Sequence, residues 1–168
     1  MRRLYQYVGP EHIRESSHNA PPGSIIHSLD DLHIWLDSHA HDAQPDGSIT
    51  ATFVIDQTGF LRLAPRQSEH VACASGGPVL SAGEMTFDAD GEVIAVTNQS
   101  TGFCPEPESW PTVESALDKI GIVYPGTFTQ TIIFRRCPGC GERSIVKDDW
   151  YVCELCGSEL PTTWNFEQ

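Results

Sequence analysis

The spacing of apolar residues in the first quarter of the chain predicts an amphipathic helix. Leu32, Trp35 and Leu36 recur at intervals of three and four residues, which places them on one face of a helix. Ser28 stands before this stretch, and Asp31 follows three residues later. A hydroxyl and an acidic side chain at these positions are typical of a capping box. We therefore expect a helix that begins next to Ser28 and buries one side.

Runs of β-branched and aromatic residues predict strands grouped in two hairpins. Such residues favour the extended, pleated backbone of a sheet. The turn sequences Asp-Gln-Thr-Gly and Ala-Asp-Gly each separate two such runs, which is typical of a β-hairpin. The predicted strand pairs are residues 49–55 with 60–64, and residues 79–88 with 92–98.

A second amphipathic helix is predicted near residue 110. Ser109 is the expected N-cap, and Pro111 lies in the first turn, where a missing N–H is tolerated. Val113 and Leu117 recur at helical spacing, and Gly121 ends the pattern. Both helices thus stand among hairpins.

The order of these elements indicates an α+β fold, made of antiparallel β-hairpins with two helices. Further strands are predicted over residues 2–8 and 128–136. The second of these runs directly into a cysteine pair, so the C-terminal segment is expected to be docked on the sheet and not held by a flexible linker.

The charge of the chain argues against a nucleic-acid ligand. The chain has 23 acidic and 10 basic residues, a formal net charge of −13. Binding to a phosphate backbone needs cations that displace its counterions. Residues 1–134 and residues 135–168 both contain more acidic than basic groups, so neither part is basic.

Hydropathy predicts no membrane span. The sequence has no run of about 18 apolar residues, and its N-terminal stretch lacks the apolar core of a secretory signal. These features predict a cytoplasmic protein.

Four cysteines carry the most specific pattern in the sequence. They form Cys-x2-Cys-x12-Cys-x2-Cys, and this spacing resembles the zinc ribbon class. Four thiolates complete a tetrahedral shell and leave no open position, so the implied Zn2+ is structural. A redox dithiol is the alternative, but such sites use a single Cys-x-x-Cys pair. The predicted metal ligands are Cys137, Cys140, Cys153 and Cys156.

This motif divides the chain into two predicted domains. Residues 1–134 form the α+β main domain, and residues 135–168 form the zinc ribbon. Trp164 and Phe166, near the C-terminal end, are expected to pack back onto the ribbon or the main domain.

A candidate ligand site is predicted within residues 68–105, where small residues and polar groups are dense. His70 is a candidate general base, with Glu84 as its acidic counterpart. Glycines allow close backbone approach to a ligand, although Gly-Gly-Pro and polar loops are also ordinary turn sequences. The predicted ligand-binding residues are Gly76, Gly77, Asn98, Ser100 and Thr101.

Residues 70–105 resemble a core of plant IQ-motif calmodulin-binding proteins and of some bacterial toxin C-terminal regions. The chain departs from that pattern where Thr101 interrupts a serine–glycine step and Phe103–Cys104 replaces histidine–tyrosine. It also lacks an IQ element, so the resemblance does not imply calmodulin binding. The positions shared with this core are His70, Gly83, Glu84, Ser100, Gly102 and Pro105.

Other reactive side chains have simpler interpretations. Cys73 and Cys104 are candidates for a nucleophile or a disulfide, but small buried thiols are common. His33, His39 and His41 are favoured as a solvated helix end over a metal site.

Two functions follow from these features. The first is an intracellular zinc-ribbon protein whose main domain binds a small polar ligand, nucleotide-like or glycosyl, with His70 and Glu84 available for acid–base chemistry. The alternative is a non-enzymatic module that binds a protein partner through the ribbon and an acidic surface.

Overall fold

The computed structural model describes residues 2–166 and confirms the α+β class. It contains a five-stranded antiparallel sheet, a separate two-stranded sheet and four α-helices. In chain order the elements are α1 (Glu11–Ser17), β1 (Ser24–Ile26), α2 (Leu29–Ser38), β2 (Ile49–Asp56), β3 (Leu61–Pro65), α3 (His70–Cys73), β4 (Val79–Phe87), β5 (Val93–Val96), α4 (Trp110–Ile120), β6 (Ile133–Arg136) and β7 (Arg143–Val146).

The two predicted hairpins form the centre of the large sheet. The strand order is β1-β3-β2-β4-β5, so β2 pairs with both of its antiparallel neighbours. Phe53 lies opposite Leu63 on β3 and Gly83 on β4. The edge strand β1 and the short helix α3 were not predicted, because three or four residues are too few to show a period.

Both faces of the sheet are buried. Phe53 and Ile55 belong to the core that also contains Leu32 of α2 and Leu117 of α4. Val54, between them, faces the opposite core, which includes residues of α3 and the Tyr5 and Phe103 rings. Because successive side chains of a strand point to opposite faces, β2 needs apolar residues at consecutive positions.

The predicted helix starts differ in their outcome. Ser28 Oγ accepts a hydrogen bond from the Asp31 N–H (3.1 Å), and the Asp31 carboxylate accepts one from the His27 N–H (2.9 Å). The N-cap prediction for Ser28 is therefore confirmed, while the reciprocal bond of the predicted capping box reaches the N–H of the residue before the N-cap. Ser109 makes no cap hydrogen bond; its hydroxyl lies 2.8 Å from that of Ser81, because a 3-10 turn over Pro107–Ser109 precedes α4.

Two of the predicted strands are shorter than expected. Within residues 2–8 only Tyr5 forms a bridge, with Val79, because the chain then turns and Val8 bonds to the Gly102 carbonyl. Of residues 128–136 only β6 is a strand, and Thr129 bonds to Val96 at the end of β5. β6 includes residues on both sides of the predicted domain boundary, and the division into two domains stays a prediction.

The helices of the described chain are short. Among residues 2–166, no helix has both the length and the apolar character needed to traverse a lipid bilayer.

Gly83 allows the chain leaving β5 to cross β4 in direct backbone contact. A Cβ atom at this position would collide with the Thr97 carbonyl oxygen and would lie 3.1 Å from Asn98 Cα. The Thr97 N–H donates to the Glu84 carbonyl at 2.9 Å, so the two backbones are held together. The glycine is required by this close approach.

We expect Gly83→Ala to lower the free energy of unfolding by about 1–3 kcal/mol, because one backbone must move to admit the methyl group. Gly126→Ala is the matched control, since no atom lies within 4 Å of its added Cβ. Urea denaturation measures both. A Gly83→Ala variant as stable as the Gly126→Ala variant would contradict the steric argument.

Candidate functional site

The four predicted metal ligands lie together at the C-terminal end of the fold. All four sulfur atoms lie within 4.8 Å of one another. Cys137 Sγ is 3.4 Å from Cys156 Sγ, and Cys140 Sγ is 3.8 Å from Cys153 Sγ. A tetrahedral ion bound at about 2.3 Å would separate its sulfur ligands by about 3.8 Å, whereas a disulfide needs about 2.05 Å. The cluster can therefore hold a metal ion.

Two equivalent turns present these thiols. The Cys137 carbonyl accepts a hydrogen bond from the Gly141 N–H at 2.8 Å, and the Cys153 carbonyl accepts one from Gly157 at 2.9 Å. Gly141 and Gly157 both have φ of +77°, a conformation that favours glycine. The same local geometry therefore occurs twice, once for each Cys-x-x-Cys pair.

Hydroxyl groups next to the cluster favour the thiolate form of Cys153 and Cys156. At Cys140, by contrast, the backbone hydrogen bond from Glu142 is outweighed by desolvation and the neighbouring thiols, which raise the pKa to about 12. Ser144 Oγ lies 3.4 Å from Cys153 Sγ, and Ser158 Oγ lies 3.2 Å from Cys156 Sγ. Hydrogen bonding by Ser144 and by backbone N–H groups lowers the pKa of Cys153 to about 6. Ser158 likewise lowers the pKa of Cys156. Thiolates are the form of cysteine that binds metal.

A buried ion pair fixes residues 133–166, the described segment that begins with β6 and is called the ribbon from here on, against the rest of the fold. Arg135 Nη1 donates to the Glu106 carboxylate at 2.7 Å, and both side chains are largely buried. The same guanidinium donates to the carbonyl groups of Phe134, Pro161 and Thr162. A buried charge is tolerated when it is paired and its donors are satisfied, and this arrangement satisfies both conditions.

Aromatic contacts add to this attachment. The Trp164 indole N–H donates to the Cys104 carbonyl at 2.9 Å, and its ring meets the Tyr5 ring edge-on at 5.6 Å between centroids. The Arg3 guanidinium lies 4.5 Å from the centroid of the Trp164 ring. Trp164 and Phe166 therefore pack back onto the sheet side of the molecule, as the sequence predicted.

A cleft of about 860 Å3 lies where the ribbon meets the sheet. The N-terminal segment contributes Tyr5 and the two arginines before it, and residues 106–109 with the first turn of α4 form a second wall. Tyr151 and residues 162–164 form the ribbon wall. The cleft thus depends on segments that are far apart in the sequence.

The predicted acid–base pair lies elsewhere. His70 is half-buried, and its Nε2 is 2.9 Å from the Gly83 carbonyl oxygen. Desolvation lowers the pKa of His70, although this hydrogen bond opposes the shift. The Glu84 carboxylate pairs with Arg66 at 3.0 Å. Both side chains have partners within the fold, and their catalytic role stays a prediction.

Asn98 connects three separate backbone segments. Its side chain is fully buried. Its amide group donates to the carbonyls of Pro105 (2.9 Å) and Ile132 (2.7 Å), and its oxygen accepts from the Ile132 N–H at 2.7 Å. A ligand contact would require one of these bonds to break, so this geometry favours a structural role.

The remaining predicted ligand-binding residues lie in two turns. Ser100 is buried, and within residues 2–166 its hydroxyl is the one buried side-chain polar atom with no hydrogen-bond partner. The exposed Thr101 accepts hydrogen bonds at its carbonyl from Arg143 and from the Cys104 thiol. Gly76, with φ of +80°, lies with Gly77 in the turn after α3.

These predicted residues do not line the cleft. A second, smaller cavity of about 390 Å3 lies between β1 and α2, and none of the predicted catalytic or ligand-binding residues lines it either. Their ligand-binding role stays a prediction.

The other two cysteines are poorly suited to nucleophilic chemistry. Cys73 and Cys104 are fully buried and unpaired. Burial raises the pKa of each thiol to about 12, so both are protonated near neutral pH. This favours their interpretation as small buried thiols.

The histidines after α2 form no metal cluster with other residues in the described part of the chain. His39 stacks on Trp35 with ring centroids 3.9 Å apart, and its Nδ1 lies 2.7 Å from the Trp35 carbonyl oxygen.

The ribbon also presents apolar side chains to solvent. Trp150 is 72% exposed and Leu155 is 73% exposed. A Lys147–Glu154 ion pair of 2.9 Å lies on the same part of the ribbon. Binding of a protein partner through this surface stays a prediction.

Sequence reasoning did not identify the residues that form the cleft. Arg135 carried one local signal, since it is a charged residue that directly follows the apolar run of residues 132–134. No local pattern relates it to Tyr5 or Glu106.

Comparisons of the chain with protein-family models, with curated proteins and with solved structures find no match. The resemblance of residues 70–105 to IQ-motif proteins and toxin regions therefore has no support from them.

We expect His70 to destabilise the fold as the pH falls. Its pKa is lower in the folded state, so the unfolded chain binds more protons below pH about 6.5 and stability is lost there. His70→Gln keeps a donor for the Gly83 carbonyl but does not titrate. Urea denaturation between pH 7.5 and 5 should show that the free energy of unfolding falls less steeply with pH in this variant than in the wild type. The two slopes should differ by up to about 1.4 kcal/mol per pH unit.

His12→Gln on the exposed face of α1 is the control, and it should follow the wild type. Titration of the cysteine cluster is common to all three proteins. Identical pH dependence of the wild type and His70→Gln would show that burial does not perturb His70.

Proposed function

We propose that this protein is a zinc-ribbon protein that binds a small polar ligand in the cleft between its sheet and its ribbon. The observation that carries the proposal is the cleft of about 860 Å3. Sites for small ligands have volumes of about 300–1,000 Å3 and combine apolar walls with a few polar groups. Leu80, Tyr151 and Pro111 supply apolar surface here, and arginine, tyrosine and threonine side chains supply polar groups.

Zinc is the metal that best fits the cluster. Four thiolates in tetrahedral arrangement suit Zn2+, which has no preference for another geometry. The shell is complete, so the ion has a structural role and no catalytic one.

The proposed role of zinc is to hold one wall of the cleft. Arg135 precedes the first cysteine pair, Tyr151 lies between the pairs, and residues 162–164 follow the second pair. An ion that fixes both pairs therefore restrains all three parts of the ribbon wall. Metal binding and ligand binding are thereby linked, since each stabilises the same arrangement.

Elemental analysis should find one zinc ion per chain, and removal of the metal by a chelator should lower the melting temperature, because metal binding is coupled to folding. Cys140→Ser and Cys156→Ser should lose the zinc. Cys104→Ala is the control: it should keep one zinc ion per chain, although it removes a buried side chain. A cluster that contains iron, or a melt unchanged after complete metal removal, would contradict the zinc clamp.

A thermal-shift screen of nucleotides, sugars and dinucleotides on zinc-loaded protein tests the cleft. Compounds that raise the melting temperature should bind Thr163→Trp at least about tenfold more weakly, because the indole fills part of the cleft. Thr127→Trp, at an exposed threonine outside the cleft, is the matched control. Equal binding by both variants, or a screen without any binding compound, would contradict the proposed site.

A further inference from the structure

The net charge of the residues that line the cleft has the opposite sign to the net charge of the whole chain. Three arginines and two glutamates line it, whereas the formal net charge of the chain is −13. The buried Arg135–Glu106 pair neutralises one charge of each sign. Arg2, Arg3 and Glu108 remain, so the cleft has a local excess of positive charge. Local charge of one sign in a concave site attracts ligands of the opposite sign.

The two N-terminal arginines are available to a ligand. Within residues 2–166, neither Arg2 nor Arg3 has a carboxylate within 4.0 Å. The Arg3 guanidinium lies over the Trp164 ring, which restrains its position at the cleft. Of the three other charged side chains that line the cleft, Arg135 and Glu106 pair with each other.

Arg2 also lies near a second cation. Arg2 Nη1 and Lys119 Nζ lie 3.9 and 3.2 Å from the position that a Cβ atom of Gly59 would take. The two cations therefore lie no more than about 7 Å apart, and an anion bound near both would reduce their mutual repulsion. Lys119 does not itself line the cleft, so this contact adds positive charge next to Arg2, beside the cleft.

Tyr5 provides a neutral donor inside the cleft. Its side chain is 3% exposed, and its hydroxyl oxygen accepts a hydrogen bond from the Glu106 N–H at 3.2 Å. In the described part of the chain, its own O–H donates no hydrogen bond, and the bond from Glu106 is the one that the oxygen takes part in. Burial raises the pKa of Tyr5, so the phenol keeps its proton and can donate it to a ligand oxygen.

We infer that the ligand of this cleft is a small organic anion whose phosphate or carboxylate group is bound by Arg2 and Arg3. Guanidinium groups bind either group with paired hydrogen bonds. The Tyr5 hydroxyl donates to a further oxygen of the ligand, and the uncharged part lies against Leu80 and Tyr151. This inference rests on the proposed function of the cleft.

Calorimetric titration with pyrophosphate and with citrate tests the inference on full-length, zinc-loaded protein. Binding of either anion should weaken at least about tenfold in the Arg2→Gln/Arg3→Gln double variant, and it should weaken with added salt. Arg14→Gln, on α1 and outside the cleft, is the control for net charge and should stay within about twofold of the wild type. Tyr5→Phe should weaken binding without abolishing it.

The two anions distinguish the two sources of negative charge. Binding of pyrophosphate alone would assign a phosphorylated ligand, and binding of citrate alone would assign a carboxylate. No binding of either anion at about 10 mM, or equal losses in the double variant and Arg14→Gln, would overturn the inference. Neutral compounds whose binding is lost in Thr163→Trp but kept in the double variant would overturn the anion preference and leave the proposed function intact. If no compound, charged or neutral, binds to the protein, both the anion preference and the proposed function are wrong.

Discussion

The buried guanidinium of Arg135 determines where the ribbon lies. Its charge is balanced by Glu106, and its other N–H groups bond to carbonyl oxygens of the ribbon itself. Because an unpaired charge in this position would be strongly destabilising, the segment before α4 and the ribbon must remain together. The cleft exists between them as a consequence, so a single ion pair relates the cysteine cluster to the proposed ligand site.

Asn98 and Gly83 have a comparable role on the sheet side. Gly83 admits the crossing chain, and Asn98 then bonds to the segments on either side of it. Polar groups buried without partners are costly, and the three bonds of Asn98 satisfy them. A dense set of small and polar residues in a sequence can therefore serve the packing of backbone segments as well as the binding of a ligand.

The arginines also differ in whether they pair with a carboxylate within the fold. Arg62 pairs with Asp56, whose carboxyl pKa is lowered because hydrogen bonds from Thr58 and Arg62 outweigh the effect of burial. Arg66 pairs with Glu84. The largely buried Arg62 and Arg135 thus have carboxylate partners, whereas within residues 2–166 Arg2 and Arg3 have none, which is why we propose that these two bind an external anion. In the proposed function, a metal held by the four cysteines would stabilise one wall of that cleft and take no part in its chemistry.

The sequence by itself determined the elements whose cause is local. Cysteine spacing predicted the metal cluster, and hydrophobic periodicity with turn residues predicted α2, α4 and both hairpins, because these patterns act over a few neighbouring residues. It also indicated that Trp164 returns to the fold. Only the tertiary structure decided which polar side chains form hydrogen bonds within the fold. The sequence predicted Asn98 as a ligand-binding residue, but its side chain forms hydrogen bonds with residues 105 and 132. The cleft joins Tyr5, Glu106 and Arg135, whose proximity follows from strand order and ribbon docking, and no local pattern encodes a contact between residues so far apart in the chain.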